Sequence, residues 1–283
     1  MSELDFASLR TSYRDLGLCK AKFPDFDSIR DIRDLLESKL QAILGSNEVR
    51  LATYHEFASD DEHEDVQWKM VQYFWSNELC MKIGQSQLEL LNALIGPDLH
   101  IQRHPFFRIA RPNRNEDNIG LHRDNYYGQS PFEVAFHVPF LDLDADSCLQ
   151  FLPGSHLVSE SAYETVPLDK SDWNKGSRKH EMGFPYAPKK LVGDLSAVKP
   201  LPVEFGEVVI FPPQIVHGQE VNRGQVTRFS VDFRVVNTFA PIVMRKDLTS
   251  RGYAPLSESA VASVAQQYLD NCSRNDASEK GYA

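Results

Sequence analysis

The stretch between residues 99 and 236 consists of short apolar runs separated by turn residues, and it constrains the fold more than any other feature. Short runs rich in Val, Ile and Phe and bounded by Gly, Pro, Asn or Asp are typical of strands. The predicted strands lie within His100–Ala110, Phe132–Leu143, Cys148–Leu152, Val203–Phe211 and Thr227–Val236. Because no helical period of useful length intervenes before residue 240, the pattern favours a sandwich or jelly roll over a parallel sheet with helical crossovers.

The residues before this stretch are predicted to be mainly helical. Apolar residues spaced by three or four form one face, as an amphipathic helix requires: Ile29, Ile32, Leu36, Leu40 and Ile43. We expect Asp27 or Ser28 to cap the start of this helix, and Gly45 follows its end. Two more helical stretches are predicted at about Val66–Phe74 and Asn77–Ile95.

These elements predict one domain, mainly β with helical additions. Residues 1–98 would be helices packed on a cupin-like jelly-roll core at residues 99–240. Within that core, residues 157–200 are long, polar and rich in Lys, Pro and Gly, which favours a functional loop or lid. Residues 241–283 would hold a last helix, at about Ser257–Leu269, and a tail.

Composition excludes several classes of function. The formal net charge of −10 disfavours a nucleic-acid partner, since an acidic surface repels phosphates. No apolar run approaches the roughly 20 residues that span a bilayer. The first residues lack the layout of a signal peptide, so we expect a cytoplasmic protein. The four cysteines form no Cys-x-x-Cys pair, which argues against a zinc ribbon or a redox dithiol.

Two separated segments carry residues suited to a metal ion. His122 and Asp124 are two apart in Gly120–Asn125, and residues two apart in an extended segment point to the same side. His217 follows a glycine turn, a strand of apolar residues and two prolines, so a rigid strand can direct it. Two histidines and one carboxylate make the facial triad of non-haem iron(II) oxygenases, which leaves the other coordination positions open.

A possible anion anchor follows on the next predicted strand. Arg228 and Ser230 point to the same side of that strand. A guanidinium matches a carboxylate with two parallel hydrogen bonds, and a hydroxyl adds another donor. This pair is suited to the distal carboxylate of 2-oxoglutarate, whose keto-acid end would then chelate the iron.

With these motifs the sequence resembles the phytanoyl-CoA dioxygenase-like family of iron(II)/2-oxoglutarate-dependent oxygenases. The resemblance covers about residues 99–236. It is carried, in order, by four elements: His122-x-Asp124, the Leu149–His156 segment with its Pro-Gly-Ser-His end, the Phe205-Gly206-Glu207 turn leading to His217, and Arg228-x-Ser230. Many members have a Trp where this chain has Phe140, which leaves open what packs on the cosubstrate.

The resemblance implies a double-stranded β-helix with the metal and 2-oxoglutarate in its mouth. It implies that His122, Asp124 and His217 bind Fe(2+), and that Arg228 and Ser230 bind 2-oxoglutarate. Dioxygen would be the oxidant, with ascorbate as the reductant in vitro. Halogenating relatives lack the carboxylate ligand, so Asp124 points to hydroxylation, or to desaturation or epimerisation through the same hydrogen abstraction.

The expected substrate is a small polar metabolite, such as a sugar, an amino acid or a natural-product intermediate. Candidates to contact it are Asn125, Tyr126, Tyr127, His137 and Arg234. Plain packing is the alternative for Asn125, Tyr126 and Tyr127, and a hydrogen-bonded sheet histidine is the alternative for His137. Arg234 would meet a second anionic group. Gln102, Arg108 or Arg111 would bind the keto-acid carboxylate. The rival hypothesis for the whole chain is a non-catalytic, ligand-binding jelly roll with a structural metal. The sequence does not determine the oligomeric state.

Overall fold

A computed structural model describes residues 5–118, 120–127, 129–167, 189–192, 196–219, 221–241 and 252–279. Most of the predicted 157–200 lid therefore lies outside the described residues, and its role stays a prediction. The division of the chain into a single domain with these parts also stays a prediction.

The described residues contain six α-helices, five of them before the first strand of the predicted jelly roll. Their bounds are α1 Phe6–Leu16, α2 Phe26–Leu44, α3 Asp60–Ser76, α4 Leu79–Ser86, α5 Leu88–Ile95 and α6 Ala260–Glu279. Helix α2 buries Ile29, Ile32, Leu36 and Leu40, the apolar face that the spacing predicted. Its N-cap is Asp25, whose carboxylate accepts from the backbone N–H of Ser28, so the predicted caps Asp27 and Ser28 were wrong.

Twelve strands are described. They are β1 Cys19–Lys22, β2 Leu99–Gln102, β3 Phe106–Ala110, β4 Val134–Pro139, β5 Gln150–Phe151, β6 Thr165–Pro167, β7 Lys189–Leu191, β8 Lys199–Pro200, β9 Glu207–Phe211, β10 His217–Gly218, β11 Arg228–Asn237 and β12 Tyr253–Ser257. All the strand pairs are antiparallel, so the predicted mainly β jelly roll with added helices is confirmed.

The large sheet has the order β1-β9-β4-β11-β2-β12, and β3 also pairs with β11. A smaller sheet has the order β10-β5-β8, and His217 lies on its strand β10. Strands β6 and β7 form a separate two-stranded sheet. Strand β11 is the longest and touches β2, β3 and β4. It therefore forms hydrogen bonds with three other strands of the large sheet.

The two faces of the large sheet differ in polarity, as the residues of β11 show. On β11 the alternate residues Phe229, Val231, Phe233 and Val235 join the helices in the main core. Phe229, for example, meets Tyr54 edge-on at 5.7 Å between ring centroids. The other row of β11 is polar and points the opposite way, since side chains alternate along a strand. That row carries Arg228, Ser230, Asp232 and Arg234.

Several boundaries differ from the sequence prediction. The predicted helix Asn77–Ile95 is two helices, α4 and α5, separated at Gln87. The predicted strand His100–Ala110 is likewise two strands, β2 and β3, with a bend before Pro105. Strand β1 lies in the region predicted to be helical, because Cys19–Lys22 pairs with β9 at the sheet edge. Short segments of this kind take their structure from a distant partner.

None of the described helices combines the length and apolarity needed to cross a membrane. Cys19, Cys80 and Cys148 are buried, Cys272 is exposed, and none of the four forms a disulfide. Phe140 is fully buried and lies within 6.4 Å of Phe74 and 6.1 Å of Phe107, between ring centroids. It therefore belongs to the helix-facing core.

Candidate metal and cosubstrate site

The two candidate histidine ligands are brought together by their backbones. The N–H of His122 donates to the carbonyl of His217 at 2.9 Å, and the N–H of His217 donates back at 3.0 Å. This isolated antiparallel bridge places the two imidazoles 4.6 Å apart, measured between ring centroids. It joins segments that the sequence separates by much of the jelly roll.

Each imidazole is turned by a hydrogen bond to a nearby carbonyl. Nδ1 of His122 donates to Gly120 at 2.9 Å, and Nδ1 of His217 donates to Ile215 at 3.1 Å. In the neutral ring a proton on Nδ1 makes Nε2 the nitrogen whose lone pair can bind a metal, and proteins orient metal-binding imidazoles in this way.

Asp124 completes the group from the start of a short 3-10 turn. Its Oδ1 lies 3.6 Å from Nε2 of His122 and 3.8 Å from Nε2 of His217. One ligand atom from each of the three residues falls within 4.8 Å of the others, and all three residues are buried. The set contains no thiolate, and imidazole with carboxylate suits iron(II). The residues present therefore fit the metal that the motif predicts.

The charges of these groups are set by burial and by each other. Burial and the neighbouring His122 lower the pKa of His217 to about 4, so its imidazole is neutral at physiological pH. Burial alone would raise the pKa of Asp124, but Arg234 and the two histidines hold it below its usual range. Neutral imidazoles and an ionised carboxylate are the forms that bind a metal ion.

The Pro-Gly-Ser-His turn supports both ligand-bearing segments. The hydroxyl of Ser155 accepts from the backbone N–H of Val216 at 2.8 Å, just before His217. The carbonyl of Ser155 accepts from Arg123 at 2.7 Å, between His122 and Asp124. The Pro-Gly-Ser-His turn therefore stabilises the positions of the segment before His217 and the segment between His122 and Asp124.

Arg228 is a buried cation whose side chain is held by two hydrogen bonds. One terminal nitrogen donates to Oε1 of Gln219 and the other to Oδ1 of Asn118, at 2.8 Å. Burial lowers the pKa of Arg228 to about 10, which leaves the guanidinium charged at neutral pH. Gln219 and Asn118 were missed by sequence reasoning, because nothing in a single sequence distinguishes them from other loop amides.

Three buried polar atoms around this guanidinium have no hydrogen-bond partner among the described residues. They are Nε of Arg228, Nδ2 of Asn118 and Oγ of Ser230. Leaving such atoms unpaired is costly, so a cluster of them marks a place for a polar ligand. All three can donate, which suits a carboxylate.

The triad and Arg228 line one cavity that opens to solvent. Its wall also includes Phe106, Arg108, Asn118, Gln129, Asp232 and Arg234. A concave, open site with several polar groups on its wall is suited to a small molecule.

The five candidate substrate residues are placed differently. Arg234 lines the cavity and donates to Asp124. His137 is buried beneath the wall, where its Nδ1 lies 2.6 Å from a carboxylate oxygen of Asp232. The amide of Asn125 donates to the Gln129 carbonyl. Tyr126 packs in a small cluster, and its hydroxyl has no hydrogen-bond partner within the described part of the chain. The side chain of Tyr127 lies outside what the structure describes.

The three residues predicted as candidates to bind the keto-acid carboxylate also differ in their surroundings. The guanidinium of Arg111 donates two hydrogen bonds to the carboxylate of Asp117, so Arg111 is already engaged by a protein carboxylate. Gln102 accepts from Arg234. Arg108 lines the cavity.

Two imidazoles and a carboxylate gathered at the mouth of a jelly roll are the metal arrangement of the non-haem iron(II) oxygenases. The sequence matches the phytanoyl-CoA dioxygenase family, PhyH, over residues 23–230. The chain belongs to this family, as its motifs predicted. It is a non-haem, iron- and 2-oxoglutarate-dependent enzyme.

Solved structures with the same fold are distant in sequence. The non-heme monooxygenase ThoJ in a nickel complex aligns with a TM-score of 0.55 at 12% identity, covering 90% of this chain and 85% of ThoJ. EctD from S. alaskensis with bound iron gives 0.51 at 10% identity, covering 86% and 80%. The alpha-ketoglutarate-dependent epimerase SnoN from nogalamycin biosynthesis gives 0.50 at 13%, covering 89% and 98%. No curated protein matches the sequence.

Proposed function

We propose that the protein is a dioxygenase that hydroxylates a C–H bond of a small polar metabolite and releases succinate and carbon dioxide. One observation supports this most: the donor atoms of His122, Asp124 and His217 cluster within 4.8 Å in the same cavity as the buried Arg228. A structural metal would need no carboxylate anchor beside it, which disfavours the rival ligand-binding protein.

The proposal assigns His122, Asp124 and His217 as the iron ligands. Arg228, Ser230 and Asn118 would bind the distal carboxylate of 2-oxoglutarate. When bound, iron(II), 2-oxoglutarate and dioxygen supply the oxidising chemistry, which is a property of the cofactor more than of the fold. The protein binds and orients the reactants, and the buried lining limits water near them.

The substrate class is inferred from the polar wall. Arg108, Gln129 and Asp232 offer hydrogen bonds and charge to a substrate beside the iron site. A sugar, an amino acid or a natural-product intermediate would match such a wall better than an aliphatic chain, because apolar surface leaves buried polar groups unpaired.

The test is a screen of polar metabolites with iron(II), ascorbate and 2-oxoglutarate labelled in its keto-acid carboxylate. We expect a substrate to stimulate release of labelled carbon dioxide, and labelled dioxygen to place one oxygen atom in the product. Desaturation or epimerisation would consume 2-oxoglutarate without that oxygen in the product.

The His122→Ala and Asp124→Ala variants should lose this stimulated release. Asp65→Ala, which removes an exposed carboxylate on α3, is the control and should retain it. Iron binding without any decarboxylation by the wild-type protein would favour the structural-metal hypothesis instead.

A further inference from the structure

Arg234 makes a short contact with the carboxylate of the triad. Its Nη2 lies 2.6 Å from Oδ2 of Asp124, and both side chains are nearly inaccessible, at 5% and 7% exposure. The other oxygen, Oδ1, is the one that faces the two imidazoles. The two oxygens of Asp124 therefore have different partners.

The guanidinium of Arg234 is itself held by neighbouring strands. Nη1 donates to Oε1 of Gln102 on β2 at 3.3 Å. Its Cζ lies 5.1 Å from the ring centroid of Phe106 on β3, within the range of a cation–π contact. The backbone of Arg234 lies on β11, and its side chain contacts β2 and β3, so three strands position the guanidinium. The guanidinium in turn positions Oδ2 of Asp124.

This contact matters because a carboxylate can bind a metal through one oxygen or two. If both oxygens of Asp124 bound the iron, the second would take a position that the cosubstrate or dioxygen needs. Two histidines and a one-oxygen carboxylate leave three positions, which suffice for a chelating keto acid and dioxygen.

We propose that Arg234 is a positioning residue that restricts Asp124 to single-oxygen coordination and so keeps the cosubstrate position open. This inference rests on the proposed function. It reassigns Arg234, one of the candidates for substrate binding, to the support of an iron ligand. Supporting partners of this kind typically change metal affinity or activity by about 10- to 100-fold when removed.

The experiment measures 2-oxoglutarate binding to the iron(II)-loaded full chain without oxygen, so that no turnover is required. Chelation of the keto acid gives a visible charge-transfer band. In Arg234→Gln we expect iron to bind, the band to shift or weaken, and the Kd for 2-oxoglutarate to rise about tenfold. Arg234→Lys retains a cationic donor and should restore most of the band. Arg103→Gln removes an exposed arginine and should leave it unchanged.

A second variant covers the case in which Arg234→Gln does not fold. Gln102→Leu removes the acceptor that holds Arg234 but keeps the contact with Asp124, and should move the band in the same direction by less. An unchanged band and an unchanged Kd for 2-oxoglutarate in Arg234→Gln would overturn the proposal. Absence of the band in the wild-type protein would instead count against the proposed function itself.

Discussion

Gly218 packs its Cα directly against the carbonyl group of Gly120, so closely that a Cβ at position 218 would overlap that oxygen. Gly218 also has a φ of +146°, a conformation that side chains disfavour. The approach lies beside the His122–His217 bridge, and it allows the two segments to come within hydrogen-bonding distance.

Gly218→Ala should therefore push the histidine-bearing segments apart. We expect iron(II) affinity, measured by anaerobic equilibrium dialysis, to fall at least about tenfold. Gly45→Ala is the matched control, because Gly45 also has a positive φ, +68°, but has no atom near its would-be Cβ. It should cost about 1 kcal/mol of stability and leave iron affinity unchanged. Equal iron affinity in both variants would show that the close approach is not required.

Arg228→Lys should raise the KM for 2-oxoglutarate. A lysine keeps the charge but loses the planar fork and leaves Asn118 or Gln219 without its donor, so we expect an increase of about 10- to 100-fold. Ser230→Ala removes one neutral donor and should raise the KM by about three- to tenfold. The exposed Arg223 provides the control, Arg223→Lys. Steady-state kinetics with 2-oxoglutarate varied would make the comparison, and an unchanged KM in Arg228→Lys would remove Arg228 from the cosubstrate site.

The buried pair of Arg111 and Asp117 should stabilise the loop that carries Asn118. Arg111 donates to both carboxylate oxygens of Asp117, at 2.9 and 3.0 Å. Asp117→Asn removes the buried counter-charge and leaves Arg111 with the more exposed Asp60, at 2.6 Å. We expect the free energy of unfolding to fall by about 2 kcal/mol in urea denaturation. In the exposed pair of Arg14 and Asp15, Asp15→Asn should leave the denaturation curve almost unchanged, because solvent screens a pair on the surface. Similar losses in the two variants would contradict the prediction.

His63 should make stability depend on pH. Burial lowers its pKa in the folded protein, although the nearby Asp117 opposes this shift. The unfolded chain then binds the proton more readily, with a pKa of about 6.5. The stabilising contribution is complete above that pH and is lost as the pH falls towards the lower folded value.

The comparison is between the wild-type protein and His63→Gln. As the pH falls from about 7 to about 5, the wild-type protein should lose more free energy of unfolding than the variant does, since only the wild-type protein has this imidazole to protonate. Denaturation curves at several pH values would measure the difference. Parallel pH profiles for the two proteins would contradict the prediction.

Local pattern and chemically distinctive residues were enough to predict part of the fold and most of the candidate metal site. The three-and-four spacing of Ile29, Ile32, Leu36 and Leu40 defined α2, and the alternating runs predicted the strands. His122-x-Asp124, His217 and Arg228-x-Ser230 identified the family, because these residue types at these spacings are rare by chance.

The polar contacts across the sheets could not be predicted in this way. The sequence placed Arg234 on the same side as Arg228, but its contact with Asp124 depends on how β11 faces the turn after His122. The clamp of Asn118 and Gln219 on Arg228 and the edge strand Cys19–Lys22 likewise depend on distant partners. Local pattern reports the preferences of neighbours along the chain, whereas these contacts arise from packing between segments far apart in it.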